Sequence, residues 1–297
     1  MRERALRILH FSDIHVGIPI RRVKWHKWLS KRSIGAVNLI SGRAKYFESA
    51  EMKMKALIEF KERNDIDIVI NSGDYTALGL KEELQFAQKI VSPLMQSADN
   101  YITVAGNHDI YVFHKKSHKQ FSKEFASVLH SDLPQYVTDG HWPLVRLIHE
   151  DLAIIAINSA RSNIRPWKSS GFISKKQLES LETILQDEKL KNRFVFIVTH
   201  YAARLANGED DTKLHGLTNA REFLSACKDI KSGAILCGHI HHKYSVQPEE
   251  INIPIYCAGS ATMEGREGGW IYEFDGVDIR STPLKWDGKR YYSTLSS

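Results

Sequence analysis

Apolar residues along this chain fall into short runs of two alternating periods, and that alternation predicts the elements before any chemistry is considered. Arg7 to Phe11 reads as a first strand, and Phe47 to Arg63 as a helix whose Ala50, Met54, Leu57 and Ile58 share one buried face. Ile66 to Asn71 is a second buried strand, and residues 81 to 91 are helical. Tyr101 to Ala105 is a third strand, and Ser117 to Leu129 turns helical again. Strand–helix alternation of this kind predicts a mostly parallel sheet with helices outside it.

The second half opens with Leu144 to Ile148 and Leu152 to Asn158, parted by His149-Glu150-Asp151 as in a hairpin. Ser174 caps a helix running to about Asp187, with Gln177 placed for a capping box. Phe194 to Thr199 is a strand, Thr218 to Asp229 a helix and Ala234 to Cys237 a strand. Short strands follow at Ile253 to Cys257, Trp270 to Phe274 and Val277 to Arg280, separated by turn signals. No repeat, low-complexity tract or linker-like stretch divides the 297 residues, so one domain over 1–297 is expected.

The formal charge of +6 changes the picture in one place. From Val16 to Phe47 there is no acidic residue, while Arg21, Arg22, Lys24, Lys27, Lys31, Arg32, Arg43 and Lys45 supply eight positive charges to an otherwise near-neutral body. This stretch lies between the first strand and its helix, where a connection of about 2–6 residues is usual. Trp25, Trp28, Leu29, Ala36, Leu39, Ile40 and Phe47 fall loosely on one helical face with the bases around them. Three readings stay open for this basic, tryptophan-bearing insert at 16–47: a solvated loop packed on the body, a peripheral segment in a membrane interface or on a lipid substrate, and, ranked last, a nucleic-acid surface.

The opening residues reach Asp13 and His15 before a signal-peptide core could develop, and no apolar run approaches the roughly 20 residues of a spanning helix. Cys227, Cys237 and Cys257 show no pairing or metal spacing. The expectation is a cytoplasmic chain, peripheral at the inner face of the membrane if the insert is interfacial.

Five segments carry metal-type ligands: Asp13-Ile-His15, Gly73-Asp74, Gly106-Asn107-His108-Asp109, Thr199-His200 and Gly238-His239-Ile240-His241. Each lies at the end of an apolar, strand-like run, where an open α/β sheet places its site. Two divalent ions about 3.5–4 Å apart can clamp an in-line displacement at phosphorus, and such a pair needs a bridging carboxylate. Asp74 suits that place. Asp13 and His15 are two apart, so on a continuing strand they share a face and can hold one ion. His239 and His241 repeat the spacing, and one can serve each ion. Imidazole and carboxylate without thiolate suit Mn, Fe, Zn or Co, with Mn favoured. A lone histidine is ordinarily a surface or core residue, and that reading is taken for His10 and His242. His114, His118, His141 and His215 are left as residues that could line the cleft.

The five blocks in this order resemble the calcineurin-like metallophosphoesterase superfamily, over a span from about Ile8 to Ser260. The resemblance implies an α/β fold, a four-layer α/β/β/α sandwich with mixed, largely parallel sheets. It implies that Asp13, His15 and His241 bind one metal ion, that Asn107, His200 and His239 bind a second, and that Asp74 bridges them. His108 would be the catalytic histidine, contacting phosphate and protonating the leaving oxygen, with Asp109 fixing its orientation. After Gly73-Asp74 the run Tyr75-Thr76-Ala77 departs from many phosphodiesterase relatives, which argues against a substrate drawn from the cyclic-nucleotide branch.

Lys31-Arg32-x-x-Gly35-x-x-Asn38, Gly42-Arg43, Phe47, Asn107-His108-Asp109-Ile110-Tyr111 and Ala258-Gly259-Ser260-Ala261 are similar to a bacterial branch that includes the chlamydial-type UDP-2,3-diacylglucosamine pyrophosphohydrolase of lipid A synthesis. The expectation is therefore a dinuclear phosphoesterase or pyrophosphohydrolase, with that lipid nucleotide, split to UMP and a lipid monophosphate, as favoured substrate. The alternatives are a cyclic-nucleotide or general phosphodiesterase and, in another class, a non-catalytic protein-binding scaffold. Scaffolds of this fold typically lose His108 or several ligands, and this chain has lost none. Oligomeric state is not legible in the sequence.

Overall fold

The computed structural model describes residues 4–18, 49–97, 99–110, 115–163, 165 and 167–294. Nearly all of the basic insert, together with His114 and the side chain of His118, lies outside the described residues.

The first sheet is built on β1 (Leu6–Phe11), β2 (Ile68–Asn71) and β3 (Tyr101–Thr103), which run parallel. The helices α1 (Ala50–Arg63) and α2 (Lys81–Val91) precede β2 and β3 in turn, as the alternation predicts. On the other side of β1 the chain returns from its far end: β10 (Gly269–Phe274), β11 (Ile279–Trp286) and β12 (Tyr291–Tyr292) add antiparallel, giving the order β12-β11-β10-β1-β2-β3. The helix α3 (Lys115–Glu124) follows β3.

The second sheet takes β4 (Leu144–Ile148), β5 (Leu152–Ala156), β6 (Phe194–Val198), β7 (Gly233–Cys237), β8 (Lys243–Val246) and β9 (Ile255–Ala258) in the order β4-β5-β6-β7-β9-β8. Its centre from β5 to β9 is parallel, and hairpin-type antiparallel pairs close both edges. The helices α4 (Lys175–Leu185) and α5 (Ala220–Cys227) supply the crossovers. Both sheets are thus mixed: the first is parallel from β1 out to its β3 edge and antiparallel from β1 to β12, while the second is parallel at its centre and antiparallel at both edges.

Alternation along the strands explains the layering. On β6, Phe194, Phe196 and Val198 join one buried cluster with the first sheet, while Val195 and Ile197 join a second cluster with Leu181 and Ile184 of α4 and Phe223 and Leu224 of α5. Between the sheets, Phe194 meets Phe274 at 5.5 Å and Phe196 meets Tyr272 at 5.3 Å between ring centroids. The other face of the first sheet is covered by Met54, Leu57 and Phe60 of α1 with Leu84 and Ala87 of α2. Helix, sheet, sheet, helix is the resulting stack, and each fully buried large side chain contributes about 1.5–3 kcal/mol to it.

Several boundaries differ from the sequence reading. The helix expected to run to Leu129 ends at Glu124, and a separate tight turn covers Ala126–Val128. The strand expected at Val277 to Arg280 runs instead from Ile279 to Trp286. β8 and β12 have no counterpart in the sequence reading; both are short and partly exposed edge strands. Ser174 does cap α4, accepting from Gln177 N at 3.4 Å. The Gln177 side chain, however, brackets the Asn158 backbone, accepting from its N–H at 3.0 Å and donating to its carbonyl at 3.1 Å, so it ties α4 to the end of β5. No helix among the described residues is long and apolar enough to cross a membrane. Cys227, Cys237 and Cys257 are all free and buried.

Candidate metal centre

The five ligand blocks meet at one edge of the two facing sheets. β1 ends at Phe11, but its pairing with β2 continues in irregular form. Asp13 N donates to the Gly73 carbonyl at 2.9 Å, His15 N to Asp74 O at 3.1 Å and Val16 N to Tyr75 O at 2.9 Å. Asp13, His15 and Asp74 adopt φ of 56°, 42° and 59°, and His239 and His241 adopt 70° and 56°. These are left-handed conformations, each costing an L-residue about 1–2 kcal/mol. The expectation that Asp13 and His15 share a face of a continuing strand is therefore corrected: two left-handed residues past the end of β1, not strand pleating, bring both side chains inward. The same holds for His239 and His241. Two close approaches exclude side chains: a Cβ on Gly106 would lie 2.0 Å from Asp74 Oδ1, and one on Gly238 would lie 2.0 Å from Ser12 Oγ.

Asp13, His15, Asp74 and His241 bring one ligand atom each within 4.8 Å of one another, and Asp74, His200 and His239 do the same. Asp74 belongs to both groups. Its Oδ2 lies 3.6 Å from His15 Nε2 and 3.5 Å from His200 Nε2, while Oδ1 accepts the His108 N–H at 2.7 Å. Asn107 Oδ1 lies 3.1 Å from His200 Nε2 and 2.9 Å from His239 Nδ1, which completes the second group.

The donor set tests whether cations fit. His15 Nδ1 faces the Thr76 carbonyl at 3.1 Å, His200 Nδ1 the Ser72 carbonyl at 2.7 Å, and His239 Nε2 the His215 carbonyl at 3.1 Å. A carbonyl only accepts, so each of these nitrogens carries the hydrogen, and in the neutral rings the other nitrogen turns a lone pair inward. His239 Nδ1, His200 Nε2 and Asn107 Oδ1 then converge as three acceptors. In the other group His15 Nε2, which turns its lone pair inward, lies 3.0 Å from His241 Nε2, and the buried Asp13 Oδ1 lies 3.1 Å from His241 Nε2. Acceptors facing acceptors at this range are stable only around positive charge, and carbonyl-oriented imidazoles are a usual support of bound metal. The residues fit a pair of divalent ions.

Burial and neighbouring charge set the protonation pattern. Burial lowers His239 far below the usual histidine range, and His200 and His215 push it the same way, which leaves the ring neutral. Burial also lowers His200, but the Asp74 carboxylate outweighs it and raises that ring to about 9. Asp74 in turn is held well below the ordinary carboxylate range by His200 and His108, against the effect of burial. Without metal, a proton on His200 supplies the positive charge that the convergent acceptors require.

His108, like His241, is partly exposed, and it lies edge-on to His15 at 4.7 Å. Its Nδ1 donates to the Ala77 carbonyl at 2.7 Å, and that bond fixes the ring. The expectation that Asp109 orients it is corrected accordingly. The Asp109 carboxylate accepts the N–H groups of Asp74 at 3.0 Å, Tyr75 at 2.9 Å, Thr76 at 3.1 Å and Gly106 at 2.9 Å. It supports His108 through the backbone, by clamping the two loops that carry Asp74 and Asn107.

Of the remaining histidines, His10 is a buried packing residue between Tyr272 Oη at 3.2 Å and Ser72 Oγ at 3.0 Å. His242 is exposed beside Arg266. His141 bonds the Leu129 carbonyl and lines a separate pocket of about 540 Å³ with Lys119, Lys123 and Trp142. His215 does reach the site, stacked on His239 with ring centroids 4.1 Å apart. Its spacing in the sequence carries no signal for this, since a loop delivers it.

A family model described as calcineurin-like phosphoesterase matches residues 6–243. No curated protein matches the chain by sequence. Among solved structures, a dimetal phosphatase from Danio rerio is similar over 99% of this chain and 100% of its own, with a TM-score of 0.66 at 14% identity. A purple acid phosphatase from yellow lupin seeds is similar over 98% of this chain and 53% of its own, with a TM-score of 0.62 at 12% identity. The Plasmodium protein GAP50, the anchor in the inner membrane complex, shares the fold at a TM-score of 0.53 and 10% identity, over 98% of this chain and 89% of its own. Five ligand blocks, two facing mixed sheets and a model match over most of its length agree: the chain belongs to the calcineurin-like phosphoesterase family, metal-dependent hydrolases of phosphoesters.

Proposed function

We propose that the chain hydrolyses a phosphodiester or phosphoanhydride at a two-metal centre. Asp13, His15 and His241 would hold one ion, Asn107, His200 and His239 the other, and Asp74 would serve both. The convergence of acceptors on both sides of Asp74 carries this reading. Mn²⁺ is the favoured metal for such mixed oxygen and nitrogen ligation, with Fe, Zn or Co as alternatives. Such a pair supplies charge neutralisation at the phosphoryl oxygens and a water nucleophile acidic enough to ionise near neutral pH. His108, its Nδ1 engaged by Ala77, contacts the phosphoryl group and protonates the leaving oxygen through Nε2. Asp109 keeps the loops under His108 and Asp74 at fixed separation.

UDP-2,3-diacylglucosamine is the proposed substrate, giving UMP and a lipid monophosphate. Support comes from the residues similar to that enzyme branch and from the basic, tryptophan-bearing insert, which suits a peripheral contact with lipid. The test is one turnover panel with Mn²⁺: the lipid nucleotide, cyclic AMP and bis-p-nitrophenyl phosphate side by side. Preferential cleavage of the lipid nucleotide is expected. Turnover confined to cyclic AMP or the synthetic diester would replace this substrate with the phosphodiesterase alternative, and no turnover with fewer than two bound ions would favour a scaffold.

A further inference from the structure

We propose that Asp211 and His215 form a positioning pair for the second metal ion, acting on it through His239. The inference rests on the two-metal reading and concerns residues that no ligand motif contains. His239 is gripped on three sides. Tyr201 lies against one side of its ring at 4.1 Å and 40°, and His215 stacks on it at 4.1 Å and 29°. The main-chain carbonyl of His215 takes the His239 Nε2–H at 3.1 Å, which directs Nδ1 at Asn107. One residue thus sets both the plane of the ligand ring, by stacking, and its tautomer, by its carbonyl.

His215 is itself fixed. Its Nδ1 donates to Asp211 Oδ2 at 2.6 Å, and the other carboxylate oxygen of Asp211 accepts Thr212 N at 2.6 Å. Gly216 allows this tight turn, because a Cβ there would lie 2.6 Å from Asp211 Cβ. The loop is then tied to its neighbour, Ser169 N donating to Leu214 O at 2.9 Å and Gly171 N to Gly216 O at 3.1 Å. Tyr201 Oη donates to the Ser169 carbonyl, so both sides of the grip share one support. The remaining alternative is a third ion among Asp211, His215 and His239, whose ligand atoms are close enough. Both facing nitrogens are already committed to oxygen acceptors, which favours positioning over ligation.

The pair therefore tunes the affinity of one ion and leaves the other alone. The test is calorimetric titration of metal-free protein with Co²⁺, with the visible cobalt spectrum recorded at each step, for the parent, Asp211→Asn, His215→Ala and Asn107→Ala. Asn107→Ala marks the step that belongs to the second site. His215→Ala and Asp211→Asn are expected to weaken that same step about 10- to 100-fold and to alter its spectrum, with the other step unchanged. The conservative Asp211→Asn guards against simple misfolding of the alanine variant. Two unchanged steps, or equal weakening of both, would overturn the inference, as would a third bound ion in the parent that Asp211→Asn removes. A parent that binds fewer than two ions would instead sink the two-metal reading on which it rests.

Discussion

His15 Nε2 and His241 Nε2 stand 3.0 Å apart across the seam between the two sheets, one delivered by the end of β1 and the other by the end of β7. Two rings so placed can both turn a lone pair to one cation between them. Stripping metal should therefore lower the melting temperature, and restoring Mn²⁺ should raise it by several degrees. An ion at one hundred times its Kd adds roughly 2.7 kcal/mol, at roughly 2–4 °C per kcal/mol for a chain of this size class. A chelated protein whose calorimetric melt does not move on adding Mn²⁺ would contradict the reading of this pair.

Asp74 and His108 should separate under mutation. Asp74→Ala removes the oxygen that faces both ion groups, so activity and the binding of two ions are both expected to fail. His108→Ala should keep two ions and lose about 10²–10⁴ in kcat, the usual range for a proton-transferring side chain. Metal analysis beside steady-state kinetics decides the matter. Undiminished turnover in either variant removes the mechanism.

Metal uptake should release a proton from His200. Its folded value of about 9 lies above the ordinary 6.5, so in the metal-free protein this ring stabilises the fold fully below pH 6.5, and that contribution is lost as pH rises through about 9. Asp74 has the opposite sign. Its depressed value stabilises the fold above the ordinary 3.8, and the benefit is lost as pH falls through the lowered value. Titration of Mn²⁺ near pH 7 in buffers of different ionisation enthalpy should show proton release, with the share that comes from His200 lost as pH rises through about 9. A buffer-independent heat at neutral pH would be the contrary result.

Gly106→Ala should damage the centre without touching a ligand. Its Cβ would lie 2.0 Å from Asp74 Oδ1 and 2.4 Å from Asp74 N, a clash with backbone that no rotamer change relieves. Loss of two-ion binding in a protein that still folds by circular dichroism is the expected result. Parental metal content would show that the Asp74 loop yields more easily than its three backbone hydrogen bonds to Asp109 suggest.

The sequence shows the chemistry of this site more readily than its geometry. Asp74, Asn107 and His200 stand out because each follows an apolar run closely, and a strand end fixes where such a residue goes. Asp13-x-His15 and His239-x-His241 stand out too, but two-residue spacing fits both a pleated strand and a pair of left-handed turns, and only the folded chain distinguishes them. Asp109 is visible as an acidic neighbour of His108, yet its partners are backbone N–H groups, which leave no trace in residue identity. His215 is hidden for a similar reason, since it works through a carbonyl and a stacked ring. Among the elements, β8 and β12 escape because short edge strands bury too little for a clear period.

The strand order has a consequence for when activity can arise during synthesis. β1 carries the first ligand block, yet its full register, Leu6 against Phe274 through His10 against Trp270, is made with a strand near the other end of the sequence. Contacts so distant along the chain form late and at high entropic cost. The blocks on β1 to β3 emerge from the ribosome long before β10 can brace them, and His239 and His241 come from the opposite layer. A chain that stops short of β7 therefore lacks His239 and His241, two of the candidate ligands, as well as the strand that braces β1.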